Sequence, residues 1–135
     1  MTAAPQPHKH RVLVVEDDED LLEALLGLLK AAGYTVLGAA NGYEALANLR
    51  GGSPPCVILL DLMLPLLDGW QFRRKQLEDP ALASVPVIGC SARDREGADV
   101  PALRVEYYMQ KPLNLERLLA SIADCCARET SPAAI

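Results

Sequence analysis

Two features of the chain predict an α/β fold, a doubly wound five-stranded parallel sheet with helices on both faces. Short apolar runs alternate with segments of helical periodicity, the pattern of successive β-α-β units. The runs are apolar at consecutive positions, as strands covered on both faces require.

The first strand is read at Arg11–Val15. A helix follows in which Leu22, Leu25, Leu26 and Leu29 fall at i, i+3, i+4 and i+7, ending near Gly33. Thr35–Ala39 supplies the second strand, and Asn41 is placed to cap a second helix that uses Ala45, Leu46 and Leu49. The break at Gly51–Pro55 leads into a third strand at Cys56–Leu60. After the loop Pro65–Gly69, a third helix runs from about Trp70 to Leu77, and the fourth strand is Val87–Cys90 with Ser91 at its end. A fourth crossover helix belongs between Arg93 and Glu106. There Gly97 and Pro101 interrupt any apolar stripe, so that helix is expected to be short or irregular. A fifth strand at Tyr107–Gln110 precedes a last helix, capped by Asn114, that presents Leu115, Leu118, Leu119 and Ile122 at helical spacing. Residues 1–9 read as a disordered N-terminal tail, 10–128 as a single domain and 129–135 as a C-terminal tail.

Composition narrows the function. At 135 residues, half of them apolar, the chain suits one core. A formal charge of −5 and a sequence pI near 5.0 argue against direct nucleic-acid binding, which needs clustered Lys and Arg. No run approaches the length of a membrane span, and the start lacks the apolar core of a secretion signal, so a cytoplasmic location is expected. The cysteines Cys56, Cys90, Cys125 and Cys126 lack metal-ligand spacing and are read as buried structural thiols. His8 and His10 are read as ordinary solvent-facing tail residues.

The chemistry gathers at strand ends. In a flavodoxin-like sheet of order 2-1-3-4-5, ligands sit beyond the carboxyl ends of strands one and three, where strand order reverses. Glu16 and Asp17, after the first strand, would meet Asp61, after the third. Crowded carboxylates repel one another unless a cation is present, which favours a hard divalent ion, Mg²⁺ above others, and leaves one Asp able to attack phosphorus. Lys111 and Ser91, at the ends of strands five and four, are placed to supply a point charge and a rotatable hydroxyl to phosphoryl oxygens.

With Val-Val-Glu16-Asp17-Asp18, Leu-Leu-Asp61-Leu-Met-Leu-Pro65-Leu-Leu-Asp68-Gly69, Cys-Ser91-Ala92 and Tyr108-Met-Gln-Lys111-Pro112, the chain resembles the CheY-like receiver domain of bacterial two-component response regulators, of the stand-alone type. The resemblance extends over residues 10–128. It implies that Asp61 accepts a phosphoryl group from a sensor histidine kinase or histidine phosphotransfer protein. It further implies that Mg²⁺ is held by Asp17 and Asp61, by Glu16 through water, and by the backbone carbonyl of Met63. Lys111 and Ser91 would serve the transfer, Ser91 and Tyr108 would be the switch pair, and the Lys111–Pro112 bond would be cis. Such a domain is a phosphoacceptor, catalysing only its own phosphorylation and dephosphorylation, and it signals to a downstream protein. The resemblance also allows a homodimer.

Other readings attach to some of these residues. Asp18 suits a helix cap and Asp68 the cap of the third helix. Tyr107 competes with Tyr108 for the switch position. The Ser91–Lys111 interval is shorter than is usual in receivers, which bears on the output face. Met63 and Arg93 stand where receivers vary the side chains that screen the phosphoryl group. An apolar Met63 cannot orient an attacking water, so a long-lived phosphoaspartate is expected. Alternative functions are a phosphorylation-independent interaction module with the same fold and a receiver fragment of a longer, effector-bearing regulator. A haloacid-dehalogenase-like phosphatase would need a second Asp where Met63 stands.

Overall fold

Residues 10–92 and 103–129 are described by the structure, a computed structural model. The elements run β1 (Arg11–Val15), α1 (Glu19–Ala31), β2 (Thr35–Ala39), α2 (Gly42–Arg50), β3 (Val57–Asp61), α3 (Gly69–Glu78), β4 (Val87–Ser91), β5 (Tyr107–Gln110) and α4 (Leu115–Glu129). The five strands form one parallel sheet of order β2-β1-β3-β4-β5, the order expected from the sequence. Most of the expected crossover segment between β4 and β5, with Arg93, lies outside the described residues, as do His8 and the terminal segments 1–9 and 130–135.

Consecutive apolar residues in the strands divide between two cores because alternate side chains leave opposite faces of the pleat. Leu13, Val15, Ile58 and Leu60 pack with Ala45, Leu46 and Leu49 of α2 and Phe72 of α3. Val12, Val14, Val57 and Leu59 pack with Leu25 and Leu29 of α1 and Leu118 and Ile122 of α4. Every residue of β3 and β4 is buried, polar Asp61 and Ser91 included. Both strands extend one residue beyond the apolar runs because the ladder continues there, Asp61 pairing with Cys90 and Ser91 with Gln110.

The helix starts follow local chemistry. The Asp18 carboxylate accepts from the N–H groups of Asp20 and Leu21 and so caps α1. Asn41 accepts from Glu44 N–H, and Asn114 from Arg117 N–H. Asp68 and Gln71 exchange hydrogen bonds at the start of α3 in a capping box.

The cysteine and histidine readings need correction. Cys56, just before β3, and Cys126, on α4, are joined in a disulfide across 70 residues of sequence, while Cys90 and Cys125 are buried thiols. Separation in sequence hid a pairing that packing creates. His10 is half-buried, its ring edge-on to Tyr34, so it is not a plain solvent-facing residue.

Two polar side chains in the apolar core also escaped the sequence. Arg73 is 5% exposed and donates to the carbonyls of Leu103 at 2.9 Å and Arg104 at 2.6 Å and to Gln76 Oε1 at 2.6 Å. Gln76 in turn donates to the carbonyls of Leu82 and Val85. This pair ties α3 to the chain entering β5, where Arg104 takes a left-handed conformation (φ 56°). Burial lowers the Arg73 pKa, and the carbonyl bonds compensate its charge.

A glycine sets the fit of α3 against the end of β3. A Cβ on Gly69 would lie 2.6 Å from the carbonyl oxygen of Asp61 and 2.6 Å from Leu62 Cα, both backbone atoms that cannot swing aside. Gly69→Ala is therefore expected to destabilise by roughly 1–3 kcal/mol. Gly27→Ala, in mid-α1 where a Cβ meets nothing within 4 Å, should stabilise by about 0.5–1 kcal/mol. Urea unfolding of the two variants checks both signs.

Candidate functional site

Parallel register brings the acidic residues together. Val15 lies beside Leu60, so Glu16, the next residue after β1, reaches the level of Asp61 at the end of β3. The backbone holds this edge closed: Glu16 N–H donates to Ala39 O, Leu62 N–H to Cys90 O and Lys111 N–H to Ser91 O. Carboxylate oxygens of Glu16, Asp17 and Asp61 all lie within 4.8 Å of one another.

Glu16 is 2% exposed and Asp61 3%. Such buried charges need partners, and Lys111 is the principal one. Its ammonium donates to Glu16 Oε1 at 2.7 Å and to Asp61 Oδ2 at 3.1 Å. The second oxygens are also occupied, Glu16 Oε2 accepting from Asp18 N–H at 3.1 Å and Asp61 Oδ1 from Met63 N–H at 2.9 Å. Asp17 is exposed, whereas the Asp18 carboxylate is spent on the cap. Among the described residues three carboxylates face one ammonium, so this edge is short of positive charge.

Electrostatics follows from this crowding. Burial raises the Glu16 pKa, and the Asp61 charge adds to it, against the opposing pull of Lys111 and the Asp18 N–H. For Lys111, burial alone would lower the pKa, but the bond to Glu16 and the charge of Asp61 outweigh it, so the proton is held more tightly than in water. Cys90, beneath the site, is pushed up to about 12 by burial and by the Asp61 charge, so it is not a nucleophile.

The remaining sequence-predicted residues occupy the same edge or its neighbourhood. Ser91 is fully buried at the end of β4. Met63 is 43% exposed, next to the acidic cluster. Tyr108 is half-buried against the α2–α3 side of the sheet, close to Gly89. Tyr107 faces the other side, its hydroxyl donating to Asp124 of α4 at 2.6 Å. The Lys111–Pro112 peptide bond is cis.

Fold and site together define a receiver-type signalling domain, and comparison with known proteins places it. Residues 12–123 match the family described as "Response regulator receiver domain", and the chain belongs to that family. It is 33% identical over 114 residues to Protein PilH of Pseudomonas aeruginosa, across 83% of this chain and 93% of PilH. Identity to Response regulator MprA of Mycobacterium sp. (strain KMS) is 38% over 124 residues, across 90% of this chain; the chain spans about half (52%) of MprA. A putative response regulator from Chloroflexus aurantiacus superposes with a TM-score of 0.81 at 28% identity, covering 88% of this chain and 98% of that one. Among the described residues no helix is long and apolar enough to cross a membrane.

The lysine gives a pH signature. Below about 10.5, the ordinary lysine value, folded and unfolded chains both hold the Lys111 proton and its ion pairs stabilise fully. As pH rises past that value the unfolded chain loses the proton first, so stability falls. Wild type should lose more stability than Lys111→Met between neutral pH and pH values above 10.5, read by urea midpoints at each pH.

Proposed function

We propose that this chain is a phosphoacceptor response regulator that takes a phosphoryl group onto Asp61 from a phosphohistidine of a sensor kinase or phosphotransfer protein and signals through protein contacts. The observation that carries this reading is the meeting of Glu16, Asp17 and Asp61 oxygens at one sheet edge, with a single lysine ammonium between two of them.

The donor set suits Mg²⁺: all oxygen, clustered and, among the described residues, short of positive charge. Asp17, exposed and free of capping duty, and Asp61 would hold the ion directly, with Glu16 through water and the Met63 carbonyl completing the protein ligands. When bound, the ion supplies charge neutralisation for the incoming phosphoryl group.

The residues of the chain do the rest. An Asp61 carboxylate oxygen attacks phosphorus, the P–N bond to the donor imidazole breaks, and the imidazole nitrogen leaves with the electron pair. The Met63 N–H and Lys111 hold the Asp61 carboxylate in place, and Lys111 offers its charge to the phosphoryl oxygens in the transition state. Ser91, buried at the neighbouring strand end, turns its hydroxyl toward the phosphoryl group, and Tyr108 follows on the same side of the sheet. Tyr107 is the poorer switch because Asp124 holds its hydroxyl. The exposed thioether of Met63 orients no hydrolytic water, so the phosphoaspartate persists.

Intact mass after incubation with acetyl phosphate tests the reading. Gain of one phosphoryl group is expected, requiring Mg²⁺ and absent in Asp61→Asn, with slow loss once the donor is removed. A folded wild type that gains no phosphoryl group with Mg²⁺ would overturn it in favour of a phosphorylation-independent interaction module.

A further inference from the structure

At the opposite edge of the sheet from the acidic cluster, three soft or borderline donors converge. His10 precedes β1, Cys56 precedes β3 and Cys126 lies on α4. A ring nitrogen of His10 and the two sulfurs all lie within 4.8 Å of one another. Cys56 and Asp61 stand at the two ends of β3, so this cluster is separated from the acidic one by the length of a strand, roughly 16 Å.

We propose that His10, Cys56 and Cys126 form a zinc site when the two cysteines are reduced, exclusive of the disulfide that joins them in this structure. Among the described residues His10 Nδ1 is buried and has no hydrogen-bond partner, an arrangement that a coordinated imidazole resolves. The residue is also held in position: Thr35 N–H donates to its carbonyl at 3.1 Å, and its ring stands edge-on to Tyr34 with centroids 6.4 Å apart. Both cysteines are buried, at 1% and 2% exposure, among Val57, Leu118 and Ile122 of the same core, so reduction cannot carry their sulfurs far apart. Tetrahedral zinc, with bonds of about 2.3 Å to sulfur and 2.0–2.1 Å to nitrogen, places its ligand atoms roughly 3.5–3.8 Å apart, so the two sulfurs, bonded to each other in the disulfide, part on reduction to admit the metal. Thiolate donors exclude Mg²⁺, and the imidazole favours zinc over a thiolate-only copper(I) site.

The two states interconvert with balanced chemistry. A dithiol reductant gives two electrons and two protons to the Cys56–Cys126 bond, yielding two thiols and an oxidised reductant disulfide. Zinc then displaces both thiol protons and binds two thiolates and the imidazole, leaving one position for water. Either state clamps α4 to the start of β3, one through a covalent bond and the other through a metal.

Cobalt(II) titration of the full chain, reduced with a phosphine and stripped of metal under anaerobic conditions, tests this. One equivalent should produce a thiolate-to-cobalt charge-transfer band and tetrahedral visible bands, both abolished by one equivalent of zinc and absent from the disulfide form. His10→Ala should weaken binding on the order of tenfold or more, and Asp61→Asn should leave the bands unchanged. Reduced wild type that is folded by circular dichroism yet shows no charge-transfer band would overturn the proposal. So would a His10→Ala variant that binds cobalt as tightly as wild type.

Discussion

One ammonium group holds the business edge of this sheet together. Lys111 comes from the end of β5 and reaches carboxylates at the ends of β1 and β3, so its two ion pairs span the sheet across β4. Without that charge, Glu16 and Asp61 would be two like charges buried side by side, a state that proteins avoid by protonating one of them. Burial, and to a smaller degree the Asp61 charge, raises the Glu16 pKa even with Lys111 bonded to it. A site left short of positive charge is one that a cation can enter.

Much of the framework serves to deliver that lysine. Lys111 is positioned by β5, and the chain entering β5 is gripped by Arg73 through the carbonyls of Leu103 and Arg104. Arg73 is itself fixed by Gln76, which also ties down the turn before β4. On the acidic side, Gly69 lets the start of α3 press against the backbone of Asp61 and Leu62, closing the loop that carries Met63. Changes at Arg73 or Gly69 would therefore reach the site through backbone placement, without touching a carboxylate.

The strands and the acidic edge were legible because their signals are local. An apolar run ended by a carboxylate marks both a buried strand and its exit, and register in a parallel sheet then aligns Glu16, Asp61 and Lys111 with no further information. Caps were legible for the same reason, Asp18, Asn41, Asp68 and Asn114 each acting on backbone within three residues. Features made by tertiary packing were not. Arg73 sits in the run Arg73-Arg74-Lys75, where three similar side chains give no hint that only the first turns inward. His10, Cys56 and Cys126 are brought together from three distant segments, and no spacing rule connects them.

That Lys111 supplies part of the positive charge the clustered carboxylates require is tested most directly by calorimetric Mg²⁺ titration of wild type and Lys111→Met. Removing a competing positive charge a few ångströms from the carboxylates should tighten Mg²⁺ binding on the order of tenfold, about 1.4 kcal/mol. Unchanged or weaker Mg²⁺ binding in a folded Lys111→Met protein would contradict it, and the lysine would then be a structural tie whose charge the site does not feel.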